Sequence, residues 1–416
     1  MKYMDKICVE EELMGWMQKE ESIVLYGNKS LVLIMLRWCR EHNLLEKVSG
    51  LCYEKTKTEY MDFLEKTVKP VDLFYDETNT KVIVLAYDEQ ACNQLLENML
   101  ETWKEEQIAY VDYGLLAQLS QRDNVTLDFL CVGSVKCGTT SLYQALKQNK
   151  KIYIPKEKEI MYNKWKNKDL DAPERFKELY FSGVSQKRVW GCIEPTFYNN
   201  AHFVYQNFGT HPKILFMMRN PADATFSFFK MMMKRSSDSK QREYYHRHGK
   251  FSDKMFQEYL QDYIFSRKDQ RFAYDIWLKE YLQFYPKEAI MVIFLEEIIK
   301  EPERVLREVQ EFIGVEPIEI KELPHSNSGT RVARNYLSAR INGKLHKLFV
   351  DYKATASRKK QLQLKKLRNF VWKYTLVENT DKMDEADRTR LLTFYSDSIK
   401  EVERITGKSL KGLWYD

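Results

Sequence analysis

The sequence predicts an α/β fold, with parallel sheet flanked by helices, arranged as two consecutive units over 1–120 and 127–416. Three observations lead there. Residues 22–113 alternate short apolar runs with amphipathic stretches, the pattern of parallel strands joined by crossover helices. A second series opens at 127–133, where an apolar run meets a loop rich in glycine and threonine and then a helical pattern. A chain of 416 residues with 44% hydrophobic and 30% charged residues has the balance of a globular protein with a large core.

In the first unit, SIVLYG (22–27) is a short apolar strand, KSLVLIMLRWCREHNL (29–44) has helical periodicity, and KVSGLCY (47–53) and KVIVLAY (81–87) are strands. ACNQLLENMLETWKEE (91–106) is an amphipathic helix and IAYVDYG (108–114) closes the series. The alternation resembles a Rossmann-like domain. YGNKSL, however, lacks the G-x-G-x-x-G loop that lets backbone approach a pyrophosphate. The unit is therefore expected to be structural or to dock a protein partner, without a working dinucleotide site. Polar AQLSQRDNVT (117–126) separates it from the second unit.

The second unit begins with the strand LDFLCVG (127–133). KRVWGCIEPTFY (187–198), KILFMMRNP (213–221) and AIMVIFLEEI (289–298) add strands, and 253–284, 302–313 and 359–377 read as helices. KMMMKRSSDSKQREYYHRHGK (230–250) is basic and poorly periodic, which predicts a mobile loop or lid.

Bulk properties narrow the function. A net charge of +6 permits a local basic cleft but does not mark a nucleic-acid binder. Aromatic residues at 13%, including 26 Tyr, suit flat, polar-edged ligands such as sugars or a purine. The seven cysteines form no C-x-x-C pair and have no histidines at zinc spacing, so reduced core thiols and no metal site are expected. The N-terminus carries acidic residues where a signal peptide needs a long apolar stretch, and no run of about 18 apolar residues occurs. A cytoplasmic chain without an integral membrane segment is the expectation.

The informative stretch is CVGSVKCGTTSLYQAL (131–146). A strand, a loop bearing Gly133 and Gly138, and a helix start place backbone N–H groups where an anion is favoured. Thr139, Thr140 and Ser141 add hydroxyl donors. A nucleoside triphosphatase loop carries lysine directly after its last glycine; here Thr139 stands there, and Lys136 lies two residues before Gly138. That placement suits a single 5′-phosphate whose bridging oxygen, as it leaves, is neutralised by lysine without a metal.

GSVKCGTTSL (133–142) resembles the 5′-phosphosulfate loop of sulfotransferases that use 3′-phosphoadenylyl sulfate. ILFMMRNPADATFSFFK (214–230) resembles that family's 3′-phosphate motif, with Arg219 and Ser227 eight residues apart. FLEEIIKEPERVLREVQEFIGVE (294–316) resembles the family's segment after its last core strand, and the C-terminal 383–414 resembles the terminal helix and closing Trp of its carbohydrate, glycosaminoglycan-like branch of bacterial type, so the likeness covers 127–416. It implies the sulfotransferase fold, a P-loop-like parallel sheet flanked by helices, and a metal-independent transfer that leaves adenosine 3′,5′-bisphosphate.

The resemblance also implies site residues. Lys136 stabilises the leaving phosphate, and Lys136, Cys137, Gly138, Thr139, Thr140, Ser141, Arg219, Ser227 and Arg331 bind the donor, with Arg334 a second contact from HSNSGTRVARNY (325–336). IPKEKEIMYNKW (154–165) resembles K-E-x-H-F-F-D, whose glutamate acts on the acceptor hydroxyl. This makes Glu159 the general base, or Glu157 in the alternative register, with Met161 standing at the family's histidine. Lys158, Tyr162, Glu194, Tyr198 and His246 are acceptor-side candidates, and His202, His211, His246 and His248 are alternative bases. The expected acceptor is a carbohydrate or glycolipid hydroxyl. Two further readings stand beside this one: a P-loop kinase, which needs the displaced lysine and a magnesium-holding acid, and a non-catalytic scaffold that keeps the fold.

Overall fold

A computed structural model describes residues 5–54, 56–61, 64–75, 77, 79–86, 88–122, 125–156, 158–160, 162, 172–182, 184, 188–236, 238–323, 331–353 and 358–415. It divides into two compact units: Met1–Val125 with Tyr162–Ser182 and Gln206–Gly209, and Thr126–Met161 with Gly183–Tyr205 and Thr210–Asp416.

The first unit holds seven strands: β1 (Asp5–Ile7), β2 (Ser22–Gly27), β3 (Val48–Tyr53), β4 (Tyr60–Met61), β5 (Thr67–Val68), β6 (Thr80–Leu85) and β7 (Ile108–Val111). They form one sheet in the order β1-β7-β6-β2-β3-β5-β4, parallel except for the β4–β5 pair. Successive residues of β2 feed opposite cores. Ile23 and Leu25 pack with Leu31 and Leu36, while Val24 and Tyr26 pack with Val82, Leu95 and Trp103. A strand buried on both faces reads as a continuous apolar run, which is why SIVLYG shows no alternation. Tyr113–Arg122 is helical, so most of the polar separator at 117–126 is an ordered element; Leu115, Leu116 and Leu119 anchor it in the core.

The second unit is built on five parallel strands: β8 (Phe129–Gly133), β9 (Ile152–Tyr153), β10 (Val189–Ile193), β11 (Lys213–Met218) and β12 (Ile290–Phe294), in the order β12-β11-β8-β10-β9. The chain leaves β8 toward one side and later returns on the other, so the crevice outside the carboxyl end of β8 is a topological switch point, the usual ligand position in such sheets. A small antiparallel pair, β13 (Arg331–Ala333) and β14 (Leu376–Glu378), brackets two helices, Tyr336–Lys353 and Arg358–Thr375.

The segment expected to be a loop or lid is helical. Pro221–Arg235 runs through the methionine cluster, Ser236 turns at φ +45°, and Asp238 accepts from Gln241 N at 2.8 Å to start the helix Ser239–His248. Buried Met233, Tyr244 and Tyr245 hold it down, an anchoring that the surrounding charges hide in the sequence. The 253–284 pattern breaks into Asp253–Tyr259, a π-helical turn at Leu260–Phe265, and Tyr274–Phe284.

Candidate active site

The loop after β8 is shaped by two glycines. A Cβ on Gly133 would stand 2.7 Å from Tyr198 Cβ, and one on Gly138, at φ +87°, would stand 2.5 Å from Leu295 Cδ1. No side chain caps the helix Thr139–Leu146 that follows, so its start faces the crevice with its own N–H groups and hydroxyls. Thr139 is buried, and Thr140 and Ser141 are half-buried.

Lys136 adopts a left-handed backbone at φ +65°. For a residue with a Cβ this costs roughly 1–2 kcal/mol and persists where surrounding structure enforces it. Burial, together with the neighbouring charges of Arg235, Arg219 and Lys234, pushes its pKa down to about 8, against the opposing pull of Glu159. Arg219 Nη1 donates to Lys136 O at 3.5 Å. The register places Phe216 of β11 opposite Gly133, so Arg219 emerges beside the loop.

Tyr274 ties the two halves together. Its hydroxyl donates to Arg219 O at 2.9 Å and lies 3.3 Å from Cys137 Sγ. Cys137 is fully buried and its N–H closes a turn onto Ser134 O at 3.3 Å. Burial lifts its thiol to about 12. The Cys137 side chain thus holds the loop from within. Behind Arg219, Asn220 caps the helix Pro221–Arg235 by accepting from Ala222 N, donates Nδ2 to Trp414 O at 2.8 Å, and gives its N–H to Glu296 Oε1 at 2.9 Å. Trp414 Nε1 donates to Glu296 Oε2, also at 2.9 Å. Ser227 lies on the same helix, half-buried.

That helix ends in two cations the sequence reading missed. Arg235 and Lys234 both act on Lys136. Lys234 is itself pushed down to about 8, by burial and then by Arg331, Arg235 and Arg368. Seven residues separate Ser227 from Lys234, two helical turns, so helical spacing alone could have put them on one face. Arg331 lies half-exposed on β13, 3.4 Å from Glu378. Arg334 is exposed, its N–H bonded to Thr375 O.

Glu159 is also left-handed, at φ +61°, with its N–H on Ile193 O at 3.3 Å. Its Oε1 accepts from Lys158 Nζ at 2.9 Å, and its charge is felt by Lys136 and Arg235. Glu157 and Met161 lie outside the described residues. Glu194 is buried at the end of β10. Tyr198 lines a cavity of about 580 Å³ with Phe228, Tyr244, Tyr259, Arg271 and Trp277.

Other candidates have different surroundings. Tyr162 is 1% exposed in the first unit, packed on Phe176 and Phe208; this is a core residue, which corrects its expected place against an acceptor. His246 is exposed and edge-on to Tyr336. His202 packs on Phe284, His211 lies 3.4 Å from Asp128, and His248 lies 2.8 Å from Glu258. All seven cysteines are free and only Cys8 is exposed. Among the described residues, no His, Cys, Asp or Glu cluster is placed to hold a metal, and no helix is long and apolar enough to cross a membrane.

No curated protein matches the chain. A sulfotransferase from Alicyclobacillus acidocaldarius is similar at 20% identity over 69% of this chain and 98% of its own, with a TM-score of 0.42. The sulfotransferase domain from the curacin biosynthetic pathway is similar at 16% identity over 66% and 98%, with a TM-score of 0.34. A mouse sulfotransferase complexed with PAP is similar at 14% identity over 60% and 92%, with a TM-score of 0.31. The sulfotransferase domain family matches residues 127–363, more than half of the chain, and to that family this protein belongs.

Proposed function

We propose that the protein moves a sulfuryl group from 3′-phosphoadenylyl sulfate to a hydroxyl of a carbohydrate or glycolipid. The observation that carries this reading is the gathering of Arg219, Arg235 and Lys234 about Lys136 on the loop after β8, where burial first and then these charges push the lysine down to about 8. Such a site calls for a ligand with more than one negative charge. A nucleotide with a 5′-phosphosulfate and a separate 3′-phosphate supplies them at two places, matching the loop and the Arg219–Ser227 helix.

In the transfer, the acceptor oxygen attacks sulfur in line, the bond between sulfur and the bridging phosphate oxygen breaks, and the acceptor proton passes to Glu159. Lys136 meets the charge that appears on the departing phosphate. A positioned base contributes about 10²–10⁴-fold, and fixed charge aimed at the leaving group is often the larger share. Lys158 holds the Glu159 carboxylate as its counter-charge. Donor contacts fall to the N–H groups from Gly138 onward, to Thr139, Thr140 and Ser141, and to Arg219, Ser227 and Arg331. The cavity at Tyr198 suits the acceptor. Its size lies within the range of small-molecule sites, its walls are aromatic, and Arg271 sits 3.6 Å over the Phe228 ring and pairs with Asp269 at 2.8 Å. Glu194 stands at the adjoining strand end. In the first unit, edge strand β4 exposes Tyr60 and Met61, at 45% and 60%, as a surface for a protein partner.

The test is direct. Adenosine 3′,5′-bisphosphate should raise the melting temperature, by a stabilisation of about 2.7 kcal/mol at a hundred times its Kd. Labelled donor should sulfate a member of a glycan and glycolipid panel, and Lys136→Ala should abolish that transfer. A protein indifferent to the bisphosphate would leave the scaffold reading standing instead.

A further inference from the structure

Residues 336–375 carry eleven Lys and Arg against one Asp, a balance of +10 in a chain whose total is +6, so everything else sums to −4. The segment is the helical pair Tyr336–Lys353 and Arg358–Thr375. One side of it is fastened to the active-site helix. A Cβ on Gly343 would stand 2.3 Å from Ser236 O, Asn342 Nδ2 donates to Lys234 O at 3.3 Å, and Asn342 Oδ1 accepts from Thr375 Oγ1 at 2.7 Å.

The exposed faces of the two helices are unlike an ordinary surface. On the first helix Leu337, Ile341 and Leu348 are 63%, 37% and 39% exposed. Their spacing of four and seven residues puts them within about 40° of one another around the axis. On the second helix Leu367, Phe370 and Tyr374 are 48%, 58% and 64% exposed, spaced three and four apart. Exposed Arg340, Lys344 and Lys347 accompany the first stripe, and exposed Lys366 and Lys373 the second.

We propose that this hairpin docks the protein on an anionic lipid bilayer. The apolar stripes enter the boundary between headgroups and acyl chains, and the lysines and arginines meet the acidic headgroups. Charge complementarity selects the occupant. A second copy of the chain would set +10 against +10. An acidic polysaccharide would match the charge and leave six apolar side chains in water. A bilayer satisfies both features at once. Docking there would hold the attached Lys234–Arg235 end of the active site near a membrane-borne hydroxyl; that use rests on the sulfotransferase reading, whereas the docking does not.

The experiment is co-sedimentation of the full chain, without donor or acceptor, with vesicles of phosphatidylcholine alone and of phosphatidylcholine with phosphatidylglycerol. Partitioning onto the anionic vesicles should be on the order of tenfold greater or more. The triple change Leu337→Asn, Phe370→Ser, Tyr374→Ser and, separately, Lys344→Glu with Lys347→Glu and Lys366→Glu should each cut it on the order of tenfold. As a check independent of those variants' folding, Phe370→Trp should be quenched by brominated lipid in anionic vesicles. Equal partitioning onto both vesicles, absence of that quenching, or full binding by a folded apolar triple variant would overturn the proposal. In the last outcome, retention on heparin would assign the surface to a polysaccharide. Failure here leaves bisphosphate binding untouched, so the two readings fail separately.

Discussion

Lys136 is held down first by burial and then by the cations around it, and its response to pH follows from that. In the folded protein it gives up its proton near pH 8, whereas unfolded it holds it to about 10.5. Between those values the unfolded chain binds more protons, so the ligand-free protein gains stability as pH rises through this window. Anion binding runs the other way, because it needs the charged lysine. The Kd of adenosine 3′,5′-bisphosphate should therefore climb above pH 8, by up to about tenfold per pH unit. Lys136→Arg should flatten the climb, since a guanidinium keeps its proton, and titration calorimetry across pH 7–10 reads both. Lys234 adds to the same trend. Glu159 separates from this behaviour: Glu159→Gln should lower kcat about 10²–10⁴-fold while leaving bisphosphate affinity in place. Unchanged turnover would move the base to another group.

In the proposed function, donor recognition turns on the helix Pro221–Arg235, since Arg219 precedes it, Ser227 lies along it and Lys234–Arg235 end it. Its start is locked by Trp414, through Asn220 and Glu296. Trp414→Ala should cost about 3–5 kcal/mol of stability and, by loosening Arg219, raise the donor KM more than it lowers kcat; chemical denaturation and steady-state kinetics check the two halves. Features made by neighbours in sequence were legible beforehand: the strand, loop and helix at 127–146, Arg219 after its strand, and the four long strands of the first unit. Strands of two or three residues such as β1, β4 and β5 carry too little pattern to be read. The 230–250 segment was misjudged because its buried Met233, Tyr244 and Tyr245 sit among charges. Tyr274, Glu296 and Trp414 join the site from 55 or more residues away, and periodicity carries no signal for such contacts.

At the scale of the whole molecule, the two compact units are not two stretches of chain. The first draws in Tyr162–Ser182 and Gln206–Gly209, which lie in sequence inside the second. Their aromatic residues cluster together. Tyr162 and Phe176 pack at 4.8 Å between ring centres, Phe208 adds to the pair, and all three are nearly or fully buried. Asn207 O also accepts the N–H of Val125, at 2.9 Å. A split of the chain near 120–127 cuts through this cluster's unit. Burying an aromatic side chain of this size contributes about 1.5–3 kcal/mol, and a fragment beginning at residue 126 keeps this cluster but loses the Val125 partner of Asn207 and the rest of the compact unit to which it belongs. Residues 126–416 alone should melt below the full chain and bind a hydrophobic dye, although the strand–loop–helix and the Arg219 helix are all present. Co-expression with residues 1–125 should restore the melting temperature. A 126–416 fragment that matches the intact protein in both measurements would show that 162–182 and 206–209 fold without the first sheet.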